Sequence, residues 1–434
     1  LVATTLGKPL LCGVAVTAVT TGIALFSFHG RPHLIDNIVQ LIQANFFAHG
    51  LVAAPPPPYP AFILTQHMMV DEYGWYAQYA PGHSMLLALG VIVGLPWLVG
   101  PLSAGIIAGT LVSATERIFG KGSAQILGIL LLVSPFFTIV AAAMMNHTSA
   151  LLAASIALWA LTYSPQHRGA LLLAGVAFGF GAATRTLEFI PLGPLFLIFM
   201  RVHHGRWPAL SGWLVGICGV VLGSIWYPLF NLATTGDPFL PGFIKLWGTA
   251  HGLGFHISPW GEPHPHVLGL AKQIINIGLL NEYLFDSILP GLMPLAVLLL
   301  LRRSLTGTTW VLLAIVLSQP CIYFFYWHRD SFLGPRYLYV ALVALLPLTA
   351  YALRFLYDTV THADAHVPPF IRRFVASLLV ISIGYTVLIG YPARLLLYRS
   401  FLPSMKLDLE QVAASQGITS GVLFVPVSLG ARMI

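Results

Sequence analysis

The chain has 434 residues, 57% of them hydrophobic and only 8% charged, with a net charge of +7 and a mean hydropathy of +0.83. Soluble domains carry roughly a quarter charged residues, so this deficit excludes an ordinary water-soluble protein and indicates a polytopic membrane protein. The positive balance does not indicate nucleic acid: there is no basic run, and Lys and Arg are scattered at the ends of apolar segments, where phosphate-rich headgroups and the positive-inside rule place them.

The first apolar run, residues 9–28, is long for a signal peptide. Phe26, Phe28 and His29 occupy the region where a small-residue cleavage site would lie, so it reads as a retained span. "RPHLIDNIVQLIQANFFAHG" (31–50) follows, a half-wet helix with a single acid, Asp36. Asp36, Gln40 and Gln43 fall at i, i+4 and i+7 and make one polar stripe; Leu34, Ile38, Leu41 and Ile42 make the opposing face. That pattern predicts a helix in the membrane interface, apolar side down, with Asp36 at headgroup level near its start, where the helix dipole favours a carboxylate. A plain first-turn acid on a surface helix is the competing reading.

A spanning helix needs about 20 apolar residues. That length gives about 11 transmembrane helices, near 9–28, 85–115, 124–143, 148–163, 169–184, 188–201, 208–230, 288–301, 308–327, 336–356 and 372–391. "GLPWLVGP" (94–101) breaks the second region, so a short helix is expected to precede the span proper. Loops on one side hold eleven of the 21 Lys and Arg but only three acids, Glu116, Asp358 and Asp364. That side is therefore expected to be cytoplasmic, with the N-terminus inside and the C-terminal segment outside.

Two external loops, 29–80 and 231–287, are long and rich in Pro, His and aromatic residues, which predicts order and not a linker. "APPPPYP" (54–60) reads as a rigid polyproline spacer. The three cysteines, Cys12, Cys218 and Cys321, lie within apolar runs and fit neither a disulfide framework nor a metal knuckle. The expectation is an all-α polytopic membrane domain over 1–399 with both loops. An external segment at 400–434 would end in a strand at "GVLFVPV" (421–427) and possess the look of a small soluble domain's start.

Several short motifs then fall into a known order. Asp36-Asn37 opens the first external helix, which ends "FFAHG", and "YAPGH" (79–83) leads into the next span. Next come "FGKGSAQILGILLLVSPFF", "NHTSALLAASIALWAL", "GFGAATRTLEFIPLGPL", "LFNLATTGDPFLPGF" and "GPRYLYVALVALLPL". Together they resemble the GT-C glycosyltransferases, polytopic enzymes that use a polyprenyl-phosphate-linked sugar, such as protein O-mannosyltransferases and aminoarabinose lipid A transferases. The resemblance covers roughly residues 9–350. Asn37 stands where that family has a second acid, Ala80 replaces a Pro in the lead-in to the second span, and Thr186 replaces a Pro after Arg185. The resemblance implies that Asp36 is the catalytic base. Asp71 and Glu72 have no firm counterpart and are candidates for the missing negative charge.

Transfer from a lipid phosphate needs a base for the acceptor hydroxyl, room for in-line attack, and positive charge for the departing phosphate. Direct displacement with one base would invert the anomeric centre. Arg336 and Arg185 are the candidate phosphate partners. Arg185 has Glu188 one turn away and also reads as a simple ion pair; Arg336 stands at a helix start, where a cation opposes the dipole. "WHRDSF" (327–332) adds His328 and Arg329 as further phosphate candidates, with Arg329–Asp330 equally readable as an interface pair. Tyr79, His83, His147 and Glu188 are candidate substrate contacts. His251, His256, His264 and His266 accompany Glu262, yet no pair has the i, i+4 spacing on a helix, so no cofactor is expected, a divalent metal there being the alternative. With no Asp-x-Asp and no Gly-rich phosphate loop, a nucleotide-sugar donor is disfavoured. The partners expected are a lipid-linked sugar donor and membrane lipid, in what reads as a bacterial inner membrane. The alternative is a non-catalytic subunit of the same fold, structural or lipid-binding, within a membrane complex with partner subunits.

Overall fold

The computed structural model describes residues 7–60, 65–301, 305–362, 368–400 and 414–419. Helix α1 (Pro9–Phe26) starts on a proline, whose missing N–H costs nothing at a first helical position. Helix α2 (Ile35–Ala48) follows, with Asp36 in its first turn. An antiparallel hairpin then pairs β1 (Met68–Asp71) with β2 (Gly74–Ala77). The sequence pattern did not disclose it, because four-residue strands are too short for a period-two signal. Helix α3 (Gly82–Ile92) is separated from α4 (Val99–Phe119) by Gly94, at φ 74°, and by a short turn begun by Pro96, so the break expected at 94–101 is present.

Helices α5 (Lys121–Val133) and α6 (Pro135–Ala142) meet at 57°. Between them Ser134 accepts from the Phe137 N–H and donates to the Leu284 carbonyl at 2.7 Å, fixing the bend. There follow α7 (Asn146–Leu161), α8 (Arg168–Ala182), α9 (Thr186–His204), α10 (Leu210–Ser224), α11 (Trp226–Thr235), α12 (Gly242–Trp247), α13 (His266–Tyr283), α14 (Met293–Leu301), α15 (Gly307–Phe324), α16 (Leu342–His362), α17 (Pro369–Tyr385) and α18 (Tyr391–Ser400).

Among the described residues, seven helical stretches are long and apolar enough to cross a membrane, or eight if the bent α5–α6 pair is one span. The other three expected crossings fall on α7, α8 and α14, helices of 16, 15 and 9 residues. These are shorter than the roughly 20 residues a straight crossing needs, so length and composition do not carry the count of eleven. The molecule is nonetheless an integral, polytopic, helical membrane protein with little sheet.

The central element is α16 with the turn that enters it. Leu342, Val343, Ala344, Leu345 and Leu346 have no exposed surface, as an all-apolar helix in a bundle core requires. At the rim, only 17% of the α10–α11 stretch is buried, and Leu210, Leu214 and Ile217 face outward.

Helix α2 forms where expected, and the partners of its polar stripe are in the protein itself. Its polar stripe faces the protein: Gln40 and Gln43 are buried, while Leu34, Ile38, Leu41 and Ile42 are only half-buried. The reason is backbone demand in the loop beside it. Gln43 accepts from the Ala77 N–H at 3.0 Å and donates to the Val52 carbonyl at 2.8 Å, and Asn37 donates to the Ala143 carbonyl at the α6 end. Buried loop peptides need partners, and Gln43 and Asn37 supply them.

The strand expected at 421–427, most of the 400–434 segment, Arg302, Arg303 and Asp364 lie outside the described residues.

Candidate active site

Seven stretches of chain converge on one cavity of about 530 Å³: the start of α2, residues 66–80, the α6–α7 turn, the α8–α9 turn with the start of α9, Tyr227 on α11, residues 241–260 of the second long loop, and the end of α15 with the segment joining it to α16. Nine aromatic side chains line it, with Asp36, Glu188, Asp330, Arg185 and Arg336 as its charged groups.

Asp36 and Arg336 meet there, 300 residues apart in sequence. Arg336 Nη2 donates to Asp36 Oδ2 at 2.7 Å, and the same nitrogen donates to Asp330. The Tyr79 hydroxyl donates to the other Asp36 oxygen. Burial alone would raise the Asp36 pKa. The guanidinium beside it and the Tyr79 hydroxyl outweigh that and hold it at about 2. The position of Tyr79 follows from Gly82. The Gly82 N–H donates to the Ala183 carbonyl at 3.0 Å, and a Cβ on Gly82 would lie 2.2 Å from Thr184 Oγ1, so only glycine lets the first loop close on the α8–α9 turn.

That turn carries Arg185, the residue before α9. It is bound on every side: Nε to Glu188, Nη1 to Asn146 Oδ1 at 3.0 Å, and Nη2 to the Tyr323 hydroxyl at 2.9 Å. The Tyr323 hydroxyl in turn donates to Glu188. Arg185 is thus paired as its spacing to Glu188 suggested, and it still lines the cavity. Tyr337 links the two arginines. Its ring lies 5.5 Å from the Arg185 guanidinium carbon and 6.0 Å from that of Arg336, and it stacks on Tyr323 and His147. His147 is buried, with neither ring nitrogen hydrogen-bonded.

Of the residues singled out by sequence, Asp36, Tyr79, His147, Arg185, Glu188, His328 and Arg336 all reach the cavity. Four do not. Asp71 is held outside it by Lys245 at 2.7 Å and by the Tyr76 hydroxyl, and Glu72 is exposed at the β1–β2 turn, so neither stands as a second acid beside Asp36. His83 is buried behind the wall, spanned between Ser149 Oγ at 2.7 Å and the Met144 carbonyl at 3.0 Å. Arg329 does not line the cavity, and its expected partner Asp330 pairs with Arg336 instead, because the chain folds back between them.

Three participants were not found from sequence. Tyr323 and Tyr337 look like ordinary span-edge aromatics. His67 lines the cavity at φ 72°, its Nδ1 hydrogen-bonded to Gln78 at 2.9 Å; burial lowers its pKa and the nearby Asp36 carboxylate opposes that. A bulky residue in the left-handed region marks a functional site only once coordinates show it. Among the described residues, no three His, Cys, Asp or Glu side chains converge to hold a metal ion. His264 is turned to Lys272, and His256 to the Gly252 and Ile257 carbonyls.

No protein-family model matches the sequence, and no curated protein does. Solved structures do. ArnT from Cupriavidus metallidurans bound to undecaprenyl phosphate is 17% identical, with a TM-score of 0.54 over 90% of this chain and 73% of that one. The same protein in the apo state is 20% identical, with a TM-score of 0.51 over 90% and 72%. At such identities the likeness is one of architecture: this chain is an integral membrane protein with the GT-C fold.

Proposed function

We propose that the protein is a membrane glycosyltransferase that moves a sugar from a polyprenyl-phosphate-linked donor to an acceptor hydroxyl on the external face. The acceptor oxygen attacks the anomeric carbon, and its proton passes to Asp36. The bond from that carbon to the phosphate oxygen breaks, and the lipid phosphate leaves with the electron pair toward Arg336. One displacement inverts the centre. The observation that carries this reading is the Asp36–Arg336 pair inside an aromatic-lined cavity, joining the first external helix to the turn before the central span. The fold shared with a protein bound to undecaprenyl phosphate supports a lipid-phosphate ligand. The excess of Lys and Arg in one set of loops supports a cytoplasmic N-terminus.

A carboxylate held at about 2 is a weak base in the free protein. A donor phosphate drawing on the same guanidinium relieves that hold, so the base is freed when the donor is seated. The second reading, a lipid-binding subunit without catalysis, has one observation in its favour: Asn37 is uncharged, and each cavity carboxylate is ion-paired.

The test is turnover of a panel of radiolabelled polyprenyl-phosphate sugars by purified protein in liposomes. Asp36→Asn, which leaves shape intact, should lower kcat by about 10²–10⁴-fold. Unchanged turnover in that variant removes Asp36 as base. Absence of turnover for every donor, with a stable partner co-purifying, favours the subunit reading.

A further inference from the structure

The carboxylate bonds of Arg336 all fall on one nitrogen. Its Nη2 is shared by Asp36 and Asp330, its Nη1 meets only Met145 Sδ at 3.7 Å, and its Nε is buried without a partner. An anion that takes two parallel N–H bonds from this group, the favoured geometry for phosphate, has to displace a carboxylate from Nη2. The two carboxylates are held differently. Asp36 stands in the first turn of α2, fixed also by Tyr79. Asp330 stands in the irregular segment between α15 and α16. There its Oδ1 accepts from the Phe332 N–H at 2.8 Å, and its Oδ2 lies 4.0 Å from His328 Nε2. The same segment holds Leu333 at φ 61° and Gly334 at φ 81°. A non-glycine residue in that region carries a conformational cost that the surrounding contacts offset.

We propose that Asp330 occupies, in the ligand-free protein, the seat on Arg336 that a lipid-linked phosphate takes on binding. It is an internal competitor: the phosphate displaces it toward His328, and its return helps release the lipid phosphate left after transfer. This rests on reading Arg336 as the phosphate partner. It also gives a role to the second acid on Arg336 in a chain that has Asn37 after Asp36.

The experiment measures binding of undecaprenyl phosphate, and of uncharged undecaprenol as a control, to the full chain in nanodiscs of neutral lipid. Asp330→Asn keeps the acceptor for the Phe332 N–H, so the turn is retained, but it gives Arg336 a weaker partner. The expected result is about tenfold tighter binding of undecaprenyl phosphate, unchanged binding of undecaprenol, and wild-type behaviour restored by Asp330→Glu. Weaker or unchanged phosphate binding in Asp330→Asn, or equal tightening for both lipids, overturns the inference. Arg336→Ala separates the two levels. If it abolishes phosphate binding while Asp330→Asn changes nothing, only the competitor role fails. If it binds the phosphate as well as wild type, the assignment of Arg336 fails first.

Discussion

Asp36 does not behave as a surface carboxylate, and its surroundings make its pH response specific. Its folded pKa of about 2 lies below the roughly 3.9 of an unfolded aspartate. The pair with Arg336 therefore contributes stability that is fully present above about pH 4 and is lost as pH falls through about 2. Since kcat/KM reports ionisations of the free enzyme, Asp36 contributes no acid limb to that profile between pH 5 and 8. An acid limb in that range that disappears in Asp36→Asn would show that Arg336 does not hold the carboxylate down in the free enzyme, while keeping Asp36 in the reaction. Much of this site was legible residue by residue, because Asp36, Arg185 and Arg336 sit in short motifs of recognisable order. What was not legible is partnership. Nothing in the sequence tells that Arg336 bridges acids 300 and 6 residues away, or that Asp71, next to a second acid, is claimed by Lys245.

At the scale of elements, the positions of the apolar helices were readable, and the partners of an amphipathic helix were not. Helix α2 has a clean polar stripe, and Gln43 of that stripe bonds loop peptides at Val52 and Ala77, while Asn37 beside the stripe bonds the Ala143 carbonyl. Periodicity measures the angle between faces, not which face meets water. The close approach of the first loop to the α8–α9 turn is set by Gly82. Gly82→Val should cost about 1–3 kcal/mol by overpacking and shift Tyr79 and Arg185 together. The measurable consequence is a lower unfolding temperature with weakened undecaprenyl phosphate binding; a variant that is destabilised yet binds normally would show that this contact does not position the site.

For the whole molecule, composition alone indicated a polytopic membrane protein, and the fold bears that out with seven or eight membrane-length stretches. The three remaining expected crossings fall on α7, α8 and α14, which are apolar but short, and hydropathy does not distinguish a short span from a helix packed inside a bundle. Orientation is testable with an impermeant maleimide on intact cells, in a background free of Cys12, Cys218 and Cys321. Cysteine at exposed Glu262 should label at once, and cysteine at exposed Gln166, between α7 and α8, only after permeabilisation; the reverse order would put the cavity on the cytoplasmic side. The most direct measurement is an experimental structure of the protein with undecaprenyl phosphate. The expected result places the phosphate in the cavity within about 2.7–2.9 Å of Arg336 nitrogens, with Asp330 withdrawn and Asp36 still facing the open space beside it. A phosphate bound elsewhere, with the Asp36–Arg336–Asp330 cluster undisturbed, would contradict the proposed site.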